Sequence, residues 1–301
     1  MLAYHAADAD ACAARIGEAW KVLWASMEAS DASIRKAAAQ ALDRLVKCFT
    51  PSFISSAVKE RKSDDKKAPL SKIISQTGKA LGALTYARAL AEVMTVIASL
   101  IAGLRSRGPT VASTGPTAAE LLLLPTVTKI AELRVQKSFE FKEAADRTLS
   151  TAMQVLGPEV LLRELPLNLE PSDRYVLSLH AESRFNNYSL RKTGKEPRAF
   201  LLPMLNQPHC SPLSHFVTYF VPLTERMFDL QQTAESEGRQ SEAKVWSVLV
   251  DQIWSGLHGY CYGCPDLNTV YFILFITYSS LIYASIDVNT AIFSTSFAVA
   301  V

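Results

Sequence analysis

At 301 residues, with 49% hydrophobic and 20% charged residues against 12 glycines and 14 prolines, the chain has the composition of a folded protein, long enough for one large domain, two ordinary ones or an elongated array of repeats. A net charge of +2 excludes a chain-wide basic field, so any RNA contact has to come from a local basic patch. Five scattered cysteines (Cys12, Cys48, Cys210, Cys261 and Cys264) and an N-terminus with Asp8 and Asp10 in place of a basic start and apolar run argue against a disulfide-stapled secreted protein, and for free thiols in the cytosol or nucleus.

In chain order, the first clear helix is predicted over Ala32 to Phe49. Ile34, Ala37, Ala38, Ala41, Leu42, Leu45, Val46 and Phe49 recur at three-and-four spacing, while Arg35, Lys36, Gln40, Asp43, Arg44 and Lys47 fall on the other side. Asp31 is its N-cap and Thr50-Pro51 its stop. The charged run from Lys59 to Lys67 has too few apolar residues to bury and reads as a solvated linker, with a nuclear-localisation or RNA-contact patch as the alternative. A second long helix is predicted from about Ser75 to Leu104, striped by Leu84, Ala87, Ala91, Met94, Ile97, Ala98 and Ile101 and widened by Leu90, Val93 and Leu100. It is apolar enough to be covered on more than one side, and the Gly, Pro, Ser and Thr from Gly108 to Pro116 form a loop.

From Ser138 to Leu165 the pattern is helix, Gly157-Pro158 corner, helix, with Gly157 suited to a left-handed cap and Pro158 to a first helical turn. Glu170 to Pro197 is polar and irregular. A helix starting at Ser211-Pro212 carries Leu213, Phe216, Val217 and Phe220, with a kink expected at Pro222, and another carries Ala243, Trp246, Leu249, Val250, Ile253, Trp254 and Leu257. No convincing strand alternation occurs through Leu257. Recurrent amphipathic helices, none able to bury its face alone, predict an all-α fold of stacked antiparallel helix pairs with a period of roughly 40 residues, a HEAT/armadillo-like α-solenoid. A compact helical bundle is the alternative.

Several segments resemble the ribosomal RNA processing protein 12 family: Leu156-Gly-Pro-Glu-Val-Leu-Leu-Arg-Glu-Leu-Pro-Leu-Asn-Leu169, Arg198-Ala-Phe-Leu-Leu-Pro-Met-Leu205, Phe216 to Glu225, Glu242 to Trp254 with Gly259-Tyr-Cys261, and Ala39 to Val46. Their order and spacing cover about residues 30 to 267. The resemblance implies a HEAT-repeat, importin-like superhelix of the nucleus and nucleolus, with no catalytic residues and no cofactor. It implies pre-ribosomal particles, rRNA, and ribosome assembly or nuclear export factors as partners, in rRNA processing and subunit maturation. Family members are much longer chains.

These features divide the chain into a helical repeat region, residues 1–267, with flexible segments near 59–70, 107–118 and 184–197, and an apolar tail, residues 268–301. The stretch from Thr269 to Ile286 has no charge, and Asp287 is the tail's only one. Three readings stay open: a translated intron or truncated gene model, which the break inside a family block favours; a C-terminal membrane anchor, near the lower length limit for a span; and a buried hydrophobic cap on the last helices.

Among candidate sites, Arg184, Arg191, Lys192, Lys195 and Arg198, interleaved with Phe185 and Tyr188, form the RNA or partner surface of choice. Basic side chains neutralise phosphates and aromatics stack on unpaired bases, although a plain surface loop has the same composition. His258-x-x-Cys261-x-x-Cys264, with His209, Cys210 and His215 elsewhere, has metal-ligand residue types without a second nearby pair, and reads as buried or idle thiols. Cys210 beside a histidine lacks the third group and oxyanion pocket of a nucleophilic site. Gly78-x-x-x-Gly82 lacks the Lys-Ser/Thr ending of a phosphate loop. Trp246 and Trp254 are expected between helices. The chain therefore reads as a binding scaffold and not an enzyme, the alternative being a helical-repeat adaptor of the nuclear transport type, membrane-anchored if the 269–286 segment is genuine.

Overall fold

Helices α1 (Leu2–Ala7), α2 (Ala9–Ala25) and α3 (Ala32–Val46) open the chain, and the last two start on aspartates that satisfy first-turn amides: Asp8 accepts from Ala11 N at 2.9 Å and Asp31 from Ser33 N at 2.8 Å. The computed structural model describes residues 1–62, 67–106, 115–179, 188–192, 196–262 and 264–266. The predicted apolar tail and most of the predicted loop after Leu104 lie outside the described residues.

The face of α3 is rotated from its predicted position. Ile34 is 49% exposed, whereas Arg35 is buried, because its Nη1 donates to the carbonyls of Ala29 (2.9 Å) and Ser30 (2.8 Å) at the preceding turn and its guanidinium approaches Glu92. With Nη1 shared by two turn carbonyls and Nε facing the Glu92 carboxylate at 3.9 Å, the guanidinium is held inside the fold. Thr50-Pro51 starts a helix as well as following one. Thr50 Oγ1 accepts from Phe53 N at 3.3 Å, and Pro51 opens α4 (Pro51–Lys59). The predicted linker is correspondingly shorter. A 3₁₀ turn continues to Lys62, and the Glu60 carboxylate accepts from Ala68 N at 2.7 Å, just before α5 (Pro69–Ala80).

The single helix predicted from Ser75 to Leu104 is two. After α5 the chain turns at Leu81-Gly82-Ala83, makes a 3₁₀ segment over Leu84–Ala89, and continues as α6 (Leu90–Gly103). Leu84 consequently leaves the apolar stripe and is 93% exposed. The break is anchored by Tyr86, whose hydroxyl receives a hydrogen bond from Trp24 Nε1 (2.9 Å) and donates one to Glu28 (2.9 Å). Helix α6 then buries Val93, Met94, Val96, Ile97, Leu100 and Ile101 completely, each contributing about 1.5–3 kcal/mol of transfer free energy.

Helix α7 (Ala118–Val135), capped by Thr117 Oγ1 on Glu120 N (3.1 Å), occupies a stretch where no element was predicted. Next come α8 (Lys142–Leu156) and α9 (Pro158–Glu164), joined at the predicted corner. Gly157 has φ 82° but ψ 156°, so it adopts the extended mirror region that only glycine visits freely, in place of the left-handed helical cap. Arg134 ties three elements together: its Nε and Nη2 bond the Asp146 carboxylate of α8 (2.6 and 3.1 Å), and its guanidinium lies 4.7 Å from the Phe200 ring centroid.

Within the stretch read as irregular, a short turn α10 (Pro171–Arg174) leads into two strands, β1 (Tyr175–Leu179) and β2 (Tyr188–Lys192). They pair antiparallel from Tyr175↔Lys192 to Leu179↔Tyr188. Tyr, Val and Leu supply strand propensity, but the segments are too short for alternation to show. A 3₁₀ segment (Ala199–Asn206) follows, then α11 (Leu213–His215), a π turn (Phe216–Phe220), α12 (Val221–Ser236) and α13 (Gln240–Cys261). The kink expected at Pro222 takes the form of that π turn. Proline has no N–H to return to the Thr218 carbonyl, and the preceding turn widens.

The helices stack in two rows. In one, α3, α6, α8, the 3₁₀ segment 199–206 and α13 pack each on the next; in the other, α2, α5 and α7 do, with α4 against α5 and α7. Pairs α2–α3, α5–α6 and α7–α8 bridge the rows, α12 packs on α13 at the far end, and one continuous apolar core runs through the stack. This is the expected all-α, HEAT-type solenoid, interrupted by one hairpin. Its period is looser than predicted: members of the first row start at residues 32, 90, 142, 199 and 240, because α4, the 3₁₀ break and the hairpin lengthen the connections.

Candidate nucleic-acid interface

The hairpin carrying β1 and β2 leaves the solenoid after α9 and returns before the 3₁₀ segment. Its stem is closed by polar contacts. Arg198 N donates to Leu167 O (2.8 Å), Arg198 Nη1 to Pro166 O (2.8 Å), and Asn168 Nδ2 to Glu196 O (3.3 Å), with Asn168 itself at φ 50°. Glu170 pairs with Arg226 of α12, which fixes the outgoing strand to the next helix pair.

The five candidate basic residues are thereby sorted. Arg191 and Lys192 are the last two residues of β2, opposite Val176 and Tyr175, and Tyr188 is its first. Arg184, Phe185 and Lys195 lie outside the described residues. Arg198 sits at the stem, where burial lowers its pKa against an opposing pull from Glu132, and its guanidinium holds the Pro166 carbonyl.

The histidine and cysteine sets are placed differently. His209 and His215 both pack on Tyr260, His209 edge-on at 4.5 Å between ring centroids and His215 through a 2.7 Å hydrogen bond between its Nδ1 and the tyrosine hydroxyl. Burial lowers the His209 pKa to about 4, lowers that of His215 and raises that of Tyr260. Cys210 is exposed, away from this cluster's interior. Although burial works to raise it, hydrogen bonds from Ser214, Cys264 and Leu213 hold the Asp266 carboxyl down to about 2. Asp266 thereby caps the start of α11, accepting from Leu213 N (2.7 Å) and Ser214 N (3.0 Å). Among the described residues no group of three or more His, Cys, Asp or Glu side chains is placed to hold a metal ion. Trp246 is buried between helices as expected, but Trp254 is 44% exposed, its ring tilted at 58° to that of Phe216 at 5.6 Å between centroids.

Comparison with known proteins settles the kinship. Residues 28–295 match the family model described as ribosomal RNA-processing protein 12, HEAT repeats. The chain belongs to that family. The ribosomal RNA-processing protein 12 HEAT match extends past residue 267, the end of the resembling segments, and takes in most of the apolar tail. A relative of the same name in Schizosaccharomyces pombe is 34% identical over 169 residues, covering 56% of this chain and 12% of the relative. The RRP12-like protein of Homo sapiens is 27% identical over 133 residues (44% and 9%), and ribosomal RNA-processing protein 12 of Saccharomyces cerevisiae is 24% identical over 159 residues (52% and 11%). The chain thus spans only about a tenth of the length of these relatives.

The fold makes one further basic feature visible. Lys72 and Lys79 share the exposed face of α5, in a stretch without an acid.

Proposed function

We propose that this chain is a non-catalytic scaffold of ribosome biogenesis, a section of solenoid that holds pre-ribosomal RNA or particles and assembly or export factors in the nucleus and nucleolus during rRNA processing and subunit maturation. The observation that carries it is the family match across residues 28–295, joined to relatives whose names specify ribosomal RNA processing. The hairpin supports an RNA role. Arg184, Arg191, Lys192, Lys195 and Arg198 put five cations within fifteen residues of sequence, with Glu196 the only acid, and the hairpin's stem is pinned by Asn168 and Arg198. Phosphate contacts of this kind contribute affinity without base specificity.

The test is RNA affinity as a function of salt. Changing Arg191, Lys192 and Lys195 to Ala is expected to weaken binding and to reduce the slope of log affinity against log salt by about 2 on single-stranded RNA, at roughly 0.7 per phosphate contact. A salt-insensitive complex with a protein partner, and no RNA binding by the unaltered chain, would replace this reading with that of a nuclear-transport-type adaptor.

A further inference from the structure

Between Asp65 and Glu92 the chain carries Lys66, Lys67, Lys72, Lys79 and Arg88 and no acidic residue. Folding turns part of that run into a surface. Helix α5 buries Leu70, Ile73, Thr77 and Ala80, which leaves Lys72, Ser75, Gln76 and Lys79 on its outer side. Lys72 and Lys79 are two turns apart, about 10 Å along the axis at roughly 1.5 Å per residue, and both are exposed. With Ser75, Gln76, Ala80, Ala83 and Tyr86 they line an open trough of about 470 Å³. A third ammonium stands behind them: Lys129 of α7 donates its Nζ to Gly78 O (3.2 Å) and lies 3.3 Å from where a Cβ on Gly82 would be. Tyr86 closes the end of the trough as a fixed wall, its hydroxyl shared by Trp24 and Glu28. Glu28, the carboxylate at this edge, is engaged by that hydroxyl.

Free ammonium groups in an open, hydroxyl- and amide-lined trough suit a ligand with repeated negative charge. Carboxylates are held best by the two-pronged guanidinium fork, and the trough has no arginine in its lining; lysine ammoniums act as point charges that suit phosphate. We propose that the outer face of α5, through Lys72 and Lys79 with Lys129 behind them, is a second contact for the RNA sugar-phosphate backbone, separate from the hairpin and indifferent to base sequence. It rests on the RNA-binding reading above, and adds a surface on a different row of the solenoid, so that one strand or two segments of a folded RNA can engage the array at two places.

The experiment uses the full 301-residue chain, a fluorescein-labelled, unstructured single-stranded RNA of mixed sequence, and a salt titration. Lys72→Ala with Lys79→Ala is expected to weaken binding about fivefold or more at low salt and to lower the salt slope by about 1.4, two contacts at roughly 0.7 each. Lys72→Arg with Lys79→Arg keeps the charge and is expected to retain most of the affinity. Both residues are exposed, so the melting temperature should not move. Unchanged affinity and slope in the alanine pair, alongside a loss in Arg191→Ala with Lys192→Ala, overturns the α5 contact and leaves the scaffold reading standing. An unaltered chain that binds no RNA overturns both. Competition by polyglutamate as strong as by unlabelled RNA overturns the RNA assignment of the trough in favour of an acidic protein partner.

Discussion

Up to α9 the solenoid is held chiefly by apolar side chains packed between helices; beyond the hairpin a helix also seats directly on backbone. In the first region α6 inserts six completely buried apolar residues between α3 and α8, and Thr148 adds a buried hydrogen bond to Met94 O (3.1 Å). In the second, α13 lies against a 3₁₀ segment through two glycines. A Cβ on Gly256 would stand 2.7 Å from Leu205 Cβ, and one on Gly259 would stand 2.0 Å from Leu205 O and 2.6 Å from Gln207 O. Around that contact Tyr260 gathers His209, His215, Phe216 and Phe220. A row of α-helices can repack by small shifts of side chains, but a helix seated on carbonyl oxygens has nothing soft to move.

The largest expected effect follows from that difference. Gly259→Ala should cost about 3 kcal/mol, the upper end for overpacking, because the obstacle is backbone. It should release α12 and α13 from the 199–206 segment before the rest of the array unfolds, seen as a second transition in urea denaturation followed by far-UV circular dichroism. Gly103→Ala is the matched change in the first region, where the Cβ would meet Val46 Cγ1 at 2.3 Å. Here only a side-chain methyl must turn, so the net loss should be about 1 kcal/mol in a single transition. Equal costs at the two glycines would break the comparison.

The regions should also part in their response to acid. Burial holds the His209 pKa down to about 4 from 6.5 and lowers that of His215 as well. A histidine whose folded pKa is depressed binds more protons when unfolded. Its stabilising contribution is therefore complete above about pH 6.5 and lost as pH falls toward about 4. In Gly259→Ala, where α12 and α13 unfold separately, the urea midpoint of their transition should drop across that window while the first region's midpoint stays flat. His209→Gln should flatten the dependence; an unchanged slope in that variant would remove His209 from the account.

Legibility from sequence divides along the same line. Where apolar residues recur at three-and-four spacing, as in α3, α8 and α13, the helices lie close to their predicted positions. Helix α7 has the run Leu121 to Leu124 followed by an internal Pro125, apolar on all sides, so it shows no period and no element was predicted there. The α5–α6 break was hidden because Leu84 and Ala87 continue the stripe in sequence, and only the Tyr86 hydrogen bonds to Trp24 and Glu28, some sixty residues away, turn them outward. Arg35 reads as a polar-face residue until the carbonyls that receive it are placed. The hairpin cations were legible as composition, but their distribution between β2 and the stem was not. Lys72 falls between the charged run ending at Lys67 and the helix predicted from Ser75, and Lys79 lies inside that helix, so their common face shows only once α5 is seen to start at Pro69.

The smallest effect sharpens what side-chain packing means in the first region. Thr50 is buried, caps α4 through Phe53 N, and its hydroxyl also contacts Ser52 Oγ at 2.9 Å. Thr50→Ala removes one amide partner and leaves Pro51 to set the helix start, so the expected cost is about 1 kcal/mol. Because Phe53, Ile54 and Ala57 pack α4 into the shared core against α5 and α7, that loss should appear as a uniform lowering of the first region's transition, not as local fraying. Hydrogen exchange distinguishes the two. Faster exchange confined to the amides of α4, with α5 and α7 unchanged, would mean that α4 is an appendage to the array; a matched increase across all three helices is the expected result, and it would make the short helix a full member of its row.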